Sequence, residues 1–193
     1  MAFEKTREDI RVFKLKHRDQ NHWLAYFYYP EFRTQLLLRL SQWCYRHHLK
    51  LFAYLITAFN DFSAGIWIGP QVEIGKGLFL GHARGVVINP NTKIGEYCIL
   101  VQQVGLGGPR LTLGNFVSVG AGAKIVSRRD RPVEIGDFVI VGAGAVVTKS
   151  IPSFSVVAGV PARRIRSISL DDAQYEWGEV LSPEQLEKIS KNI

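Results

Sequence analysis

Two hydrophobic periods divide the chain. In residues 1–64, apolar side chains recur every three or four positions, the spacing of one face of an α-helix, as in Phe32, Leu36, Leu37, Leu40 and Trp43. From Ile68 onward the period is six, with longer spacings only at 80 to 88, 106 to 113 and 125 to 135. The aliphatic residues that occupy the same place in successive units are Ile68, Ile74, Leu80, Ile88, Ile94, Leu100, Leu106, Leu113, Val119, Ile125, Ile135, Val141 and Val147. A repeated hexapeptide is the signature of a parallel β-helix. The sequence therefore predicts a helical segment followed by a solenoid.

Glycine marks the same boundary. None of the 18 glycines lies in residues 1–64, 17 lie between Gly65 and Gly159, and the last is Gly178. We interpret each hexapeptide as one flat face of a triangular coil with its aliphatic residue pointing inward, so that about five coils stack. The predicted units are an N-terminal helical segment at 1–64, a mainly β solenoid at 65–162 and a tail at 163–193. The tail is expected to end in a short helix capped by Ser182 that closes the end of the solenoid.

Composition and charge exclude several classes of protein. The 193 residues are 47% hydrophobic and carry a net charge of +7, divided as +4, +4 and −1 among the three predicted units. This even spread argues against a basic face for nucleic acid. No apolar stretch approaches the roughly 20 residues of a membrane span, and the N-terminus lacks the apolar core of a signal peptide. We therefore expect a cytoplasmic protein, with Cys44 and Cys98 buried as small apolar residues.

Several motifs in fixed order resemble the serine acetyltransferase branch of the hexapeptide acyltransferases. They are GLFLGHARGVVINPNTKIG, the pair Gly107-Gly108, VGAGAKI and VVAGVPAR, within a likeness that covers roughly residues 26–166. The resemblance implies a left-handed parallel β-helix and a homotrimer as the minimal active unit. Pairing of two homotrimers into a dimer of trimers stays open. It also implies acetyl-CoA bound in the groove between neighbouring prisms, with no metal ion.

The resemblance places the general base on His82, which is the only histidine of the predicted solenoid. An alcohol is a poor nucleophile at neutral pH, so acetyl transfer needs a base within hydrogen-bond reach of the hydroxyl. The negative tetrahedral oxygen needs a preorganised donor, and the glycine-rich turn from Gly105 to Gly108 offers backbone amides for it. A zinc site of the carbonic anhydrase type would need three solenoid histidines, which the sequence does not provide.

The resemblance also assigns binding residues. Cofactor contacts fall on Gly107, Gly108, Gly120, Ala121 and Ala143, with cations for the cofactor phosphates at Arg163 and Arg164. Acceptor contacts fall on Asp19, Gly81 and Arg84.

The acceptor side departs from the family pattern. Serine acetyltransferases have an Asp before the catalytic histidine, where this chain has Gly81, and an orienting Asp in the preceding coil, where it has Trp67. The loop after Gly108 that carries an Arg-His pair in the family is shortened here. We therefore expect a carbohydrate hydroxyl as acceptor, as in the related proteins of exopolysaccharide and capsule synthesis. The alternatives are serine O-acetylation for cysteine biosynthesis, with Asp19 as a contact, and a catalytically silent hexapeptide scaffold. The group that orients His82 stays open.

Overall fold

The computed structural model describes residues 2–17 and 29–191. Within these ranges, three helices precede the solenoid: α1 (Ala2–Lys16), α2 (Pro30–Arg46) and α3 (Lys50–Ala64). Helix α3 ends at Ala64 and is capped by Gly65, whose φ of 65° is the left-handed conformation that glycine adopts without steric cost. Its amide donates to the carbonyl of Asp61 at 2.7 Å, which closes the helix where the solenoid begins.

Short strands follow one another through the solenoid and into the tail. They are β1 (Trp67–Ile68), β2 (Glu73–Ile74), β3 (Phe79–Gly81), β4 (Val87–Ile88), β5 (Lys93–Ile94), β6 (Ile99–Val101), β7 (Gly105–Gly107), β8 (Leu111–Leu113), β9 (Val117–Val119), β10 (Lys124–Val126), β11 (Val133–Ile135), β12 (Val139–Val141), β13 (Val146–Val147), β14 (Ser155–Ala158) and β15 (Arg163–Ser167). Two helices end the described chain, α4 (Leu170–Trp177) and α5 (Pro183–Ser190).

The strands form the three faces of a triangular prism. The sheets have the orders β1-β4-β7-β10-β13, β11-β8-β5-β2 and β15-β14-β12-β9-β6-β3. Every pairing is parallel except that of β14 with β15, and about five turns stack between residues 67 and 157. All thirteen aliphatic residues of the six-residue period are buried and line the interior. The predicted parallel β-helix and its inward positions are confirmed.

An aromatic column on the outside of the prism corrects the prediction for the tail. Tyr97, Phe116, Phe138 and Phe154 stack along one edge, with adjacent ring centroids 5.1, 4.8 and 5.4 Å apart. Trp177 of α4 meets Phe116 and Phe138 edge-on, and Ile189 of α5 joins the same buried cluster.

The described part of the tail, up to residue 191, therefore has two helices rather than one, and they pack along the side of the coils rather than close the end. The aromatic edge supplies the apolar surface that they bury. The predicted cap at Ser182 is confirmed, because its hydroxyl accepts from the amide of Gln185 at 3.3 Å.

A buried ion pair fixes the N-terminal helices against the first coil. Arg39 of α2 donates to both carboxylate oxygens of Asp9 on α1, at 2.7 and 3.2 Å, and to the carbonyl of Ile74 at 3.1 Å. Asp9 also accepts from the amide of Leu78 at 3.0 Å. Gln42 adds a bond to the carbonyl of Val72 at 2.8 Å. Helix α2 is thus held in one place relative to β3 and the turn that follows it.

Helix α3 has an apolar outer face with exposed Leu51, Phe52, Leu55, Phe59 and Phe62. In the part of the chain that the structure describes, no helix is long and apolar enough to cross a membrane. Cys44 and Cys98 are both free thiols and both buried, as expected.

Candidate active site

His82 begins the turn between the six-stranded and the five-stranded sheet, directly after β3 ends at Gly81. Its carbonyl accepts from the amide of Arg84 at 2.7 Å, and its side chain is 80% exposed. The backbone φ of 47° is unusual for a non-glycine residue. The left-handed position that repeats on successive coils of this edge is a different one, occupied by Gly85, Gln103, Gly122 and Gly144.

A cleft of about 310 Å³ lies between this turn and the start of α2. Its walls include Tyr29, Glu31, His82 and Arg84. Arg84 and His82 are exposed, so the cleft combines an accessible guanidinium and imidazole with the buried carboxylate of Glu31. Such a set can hold a polar acceptor beside a general base.

Glu31 is a candidate functional residue that the sequence did not indicate. Its Oε1 lies 3.1 Å from Nδ1 of His82, and the residue is only 6% exposed. Its second oxygen, Oε2, has no hydrogen-bond partner among the residues that the structure describes. The contact joins a helix to a distant solenoid turn, so no periodicity or motif indicated it.

The pair suits proton transfer. A histidine that donates its Nδ1 proton to a carboxylate leaves Nε2 as a lone-pair base. His82 Nε2 has no protein partner in the described ranges 2–17 and 29–191. The imidazole can therefore accept a proton from a hydroxyl bound in the cleft.

Three predicted site residues share one edge of the prism. Strand pairing sets Gly81 beside Val101, and the amides of Gly122 and Gly144 donate to the carbonyls of Gln102 and Ala121. This register places His82, Gln102, Ala121 and Ala143 on successive coils of the same edge. Because stacked strands are about 4.8 Å apart, the edge column extends about 19 Å from His82 to the fifth coil.

Close packing along this edge column explains why residue 120 is a glycine. A Cβ at that position would lie 2.7 Å from the backbone nitrogen of Ala143 on the next coil, so only glycine fits. Ala121 is partly exposed and Ala143 is exposed. The edge column thus presents small residues and backbone along its length, a surface that a long flexible ligand can follow.

Arg163 and Arg164 lie at the far end of the edge column. Strand β15 runs antiparallel to β14, with Arg163 opposite Ala158 and Arg164 opposite Val157. Both arginines are exposed, and Arg164 Nη2 donates to Ser167 Oγ at 2.9 Å. Cations at this end of the edge column are suited to the phosphates of a ligand whose other end reaches His82.

The glycine pair lies on a different edge. Gly107 ends β7 of the five-stranded sheet, and Gly108 begins the turn to the four-stranded sheet. Gly108 has a φ of 94°, and a Cβ there would lie 2.1 Å from the carbonyl oxygen of Ser127. Within one chain, therefore, the glycine turn and the turn of His82 are on separate edges of the prism. Asp19 lies outside the described residues.

Among the residues that the structure describes, no group of three or more His, Cys, Asp or Glu side chains is placed to hold a metal ion.

Comparisons with known proteins show which family the chain belongs to. No family model matches the chain. The serine acetyltransferase of Helicobacter pylori is 35% identical over 153 residues, covering 76% of this chain and 87% of the relative. The chain belongs to the serine acetyltransferase family.

A second relative and a solved structure agree. The serine acetyltransferase of Synechococcus elongatus is 33% identical over 144 residues, covering 71% of this chain. The chain spans only 57% of that relative's length. The crystal structure of serine acetyltransferase from Brucella abortus in complex with coenzyme A superimposes with a TM-score of 0.77 at 30% identity, covering 86% of this chain and 68% of that one. These findings support the serine acetyltransferase family and give no support to the exopolysaccharide branch that the sequence favoured.

Proposed function

We propose that the chain transfers the acetyl group of acetyl-CoA to a hydroxyl, with L-serine as the acceptor. The contact between the buried Glu31 carboxylate and Nδ1 of His82, at 3.1 Å, is the observation that carries this proposal. It gives the chain an oriented base in an accessible cleft, which a catalytically silent scaffold would not need. The Brucella abortus relative, crystallised with coenzyme A, supports acetyl-CoA as the donor.

The reaction needs one base and no covalent enzyme intermediate. Nε2 of His82 takes the proton as the hydroxyl oxygen attacks the thioester carbonyl, forming a tetrahedral oxyanion. Backbone amides of the glycine turn are suited to stabilise that oxyanion. The carbon–sulfur bond then breaks, and the departing CoA thiolate takes the proton back from His82. The products are the O-acetyl ester and free CoA.

Serine replaces the carbohydrate acceptor that the sequence favoured because all the relatives described above are serine acetyltransferases. The cleft also offers a charge that an amino acid can use, because the exposed Arg84 is suited to a carboxylate. A neutral sugar has no charge to match it. Asp19 stays a predicted further contact.

The placement of the glycine turn supports an assembly of several copies. His82 and Gly108 lie on different edges of one prism, so a site that uses both is completed by the glycine turn of a neighbouring copy. A homotrimer of prisms brings unlike edges together in this way around a threefold axis. Acetyl-CoA would then lie in the groove between two copies, along the edge column and toward Arg163. Pairing of trimers stays a prediction.

The test is CoA release from acetyl-CoA in the presence of L-serine, with the product identified by mass spectrometry. Parallel reactions contain L-alanine, which lacks the hydroxyl, and a panel of neutral monosaccharides. Serine-dependent release of CoA with formation of O-acetylserine is the expected result. Release with a sugar and not with serine would refute serine as the acceptor. No release above background with any acceptor would favour the silent scaffold.

A further inference from the structure

We propose that Glu31 is the positioning residue of His82, so that the carboxylate that orients the base comes from the helical segment and not from the solenoid. This inference rests on the proposed transferase function and deepens it. The position at which the family carries its orienting Asp is Trp67 in this chain, and a tryptophan side chain cannot accept a hydrogen bond from an imidazole nitrogen through an oxygen.

The two partners differ sharply in burial. Glu31 is 6% exposed, whereas the side chain of His82 is 80% exposed. Water does not hold an exposed imidazole in one orientation. A fixed protein group in contact with the imidazole must therefore do so. Glu31 is such a group, because it lies in the first turn of α2, a helix docked on the first coil.

That docking does not depend on Glu31. Arg39 and Gln42 hold α2 through bonds to the carbonyls of Ile74 and Val72, and Asp9 holds Arg39 in turn. Gln35 adds a bond to the carbonyl of Leu78. Removing the charge of Glu31 should therefore change the orientation of His82 without releasing the helix.

The carboxylate also selects the imidazole tautomer. Neutral histidine carries its proton on either nitrogen, and only the Nδ1–H form can donate to Glu31 and keep Nε2 as the base. A glutamine at position 31 can turn either its oxygen or its NH₂ group toward Nδ1, so it no longer imposes one tautomer. In serine proteases, the change from the orienting carboxylate to an amide lowers kcat by about 10⁴-fold through this effect. The more exposed imidazole here predicts a smaller loss of about 10- to 100-fold.

The experiment compares Glu31→Gln and Glu31→Asp with the wild type and with Glu73→Gln, a control at an exposed solenoid glutamate whose partner is Lys93. Steady-state kinetics should show kcat of Glu31→Gln lowered by about 10- to 100-fold, with KM for acetyl-CoA changed less than about twofold. Glu31→Asp keeps the charge on a shorter side chain, so its kcat should lie between the two. Glu73→Gln should match the wild type.

A second readout does not depend on turnover. In ¹⁵N-histidine-labelled protein without acetyl-CoA, the imidazole nitrogens of His82 report the tautomer, with the resonance assigned from its loss in His82→Ala. The wild type should show the Nδ1–H form and Glu31→Gln a mixture. A wild-type His82 in the Nε2–H form, or a Glu31→Gln enzyme with wild-type kcat, would overturn the proposal. If the wild type transfers no acetyl group, the transferase proposal fails, while the tautomer measurement still decides the role of Glu31.

Discussion

Removing the ion pair between Asp9 and Arg39 is the strongest test of how the helical segment is held against the first coil. Both side chains are 4% exposed, so Asp9→Ala leaves a guanidinium in the interior without its counter-charge. Removing one partner of a buried pair typically costs about 3–5 kcal/mol. Arg39 would keep its bonds to the carbonyl of Ile74 and to Oε1 of Gln42, both at 3.1 Å. We therefore expect a loss near the low end, about 3 kcal/mol.

The double variant Asp9→Ala with Arg39→Met separates charge from packing. Burial raises the pKa of Asp9, because desolvation of the carboxylate outweighs the opposing effect of Arg39. Replacing both members of such a pair with apolar groups is often close to neutral. The double variant should therefore be more stable than Asp9→Ala alone, with a favourable coupling between the two changes.

The assay is urea unfolding followed by circular dichroism at one fixed protein concentration, because stability of an oligomer depends on concentration. Size-exclusion chromatography confirms an unchanged assembly before each measurement. A loss below about 1 kcal/mol for Asp9→Ala, or a double variant less stable than that single variant, would show that the buried pair does not hold the helical segment in this way.

Two further predictions concern the solenoid. Gly108→Ala should lower the melting temperature, because the added Cβ would lie 2.1 Å from the carbonyl oxygen of Ser127 at a backbone φ of 94°. Gly107→Ala should be tolerated, because the nearest atom to its added Cβ is 3.9 Å away. Equal melting temperatures for the two variants would contradict the close approach. Burial raises the pKa of the Cys98 thiol to about 12, so this thiol should resist a disulfide reagent in the folded protein and react only in denaturant. Rapid labelling of Cys98 in the native state would show that the coil opens more readily than its packing indicates.

The interior of the solenoid could be predicted from sequence because each coil repeats one local rule. An aliphatic residue every sixth position points inward whatever the neighbouring coils contain, and residues from Ile68 to Val147 follow this rule. The family motif fixed the place of His82 in the same way, since it depends on residues adjacent along the chain. Local patterns were sufficient for both.

The features that could not be predicted from the sequence depend on contacts between segments far apart along the chain. Glu31 has no local signal that distinguishes it from any glutamate at a helix start, and only the docking of α2 brings it to His82. The outer aromatic edge was missed because the six-residue aliphatic period describes the inside of the prism. Its rings form a surface only when the coils stack. Trp177 and the two tail helices pack against that surface at the side of the solenoid.

The proposed function makes His82 the base of an acetyl transfer to serine. CoA release by the wild type and by His82→Ala is compared with acetyl-CoA and L-serine, alongside calorimetric binding of acetyl-CoA to both proteins. His82→Ala should lower kcat by about 10²-fold or more while acetyl-CoA binding and the assembly are retained. A His82→Ala protein that turns over at the wild-type rate would rule out His82 as the base.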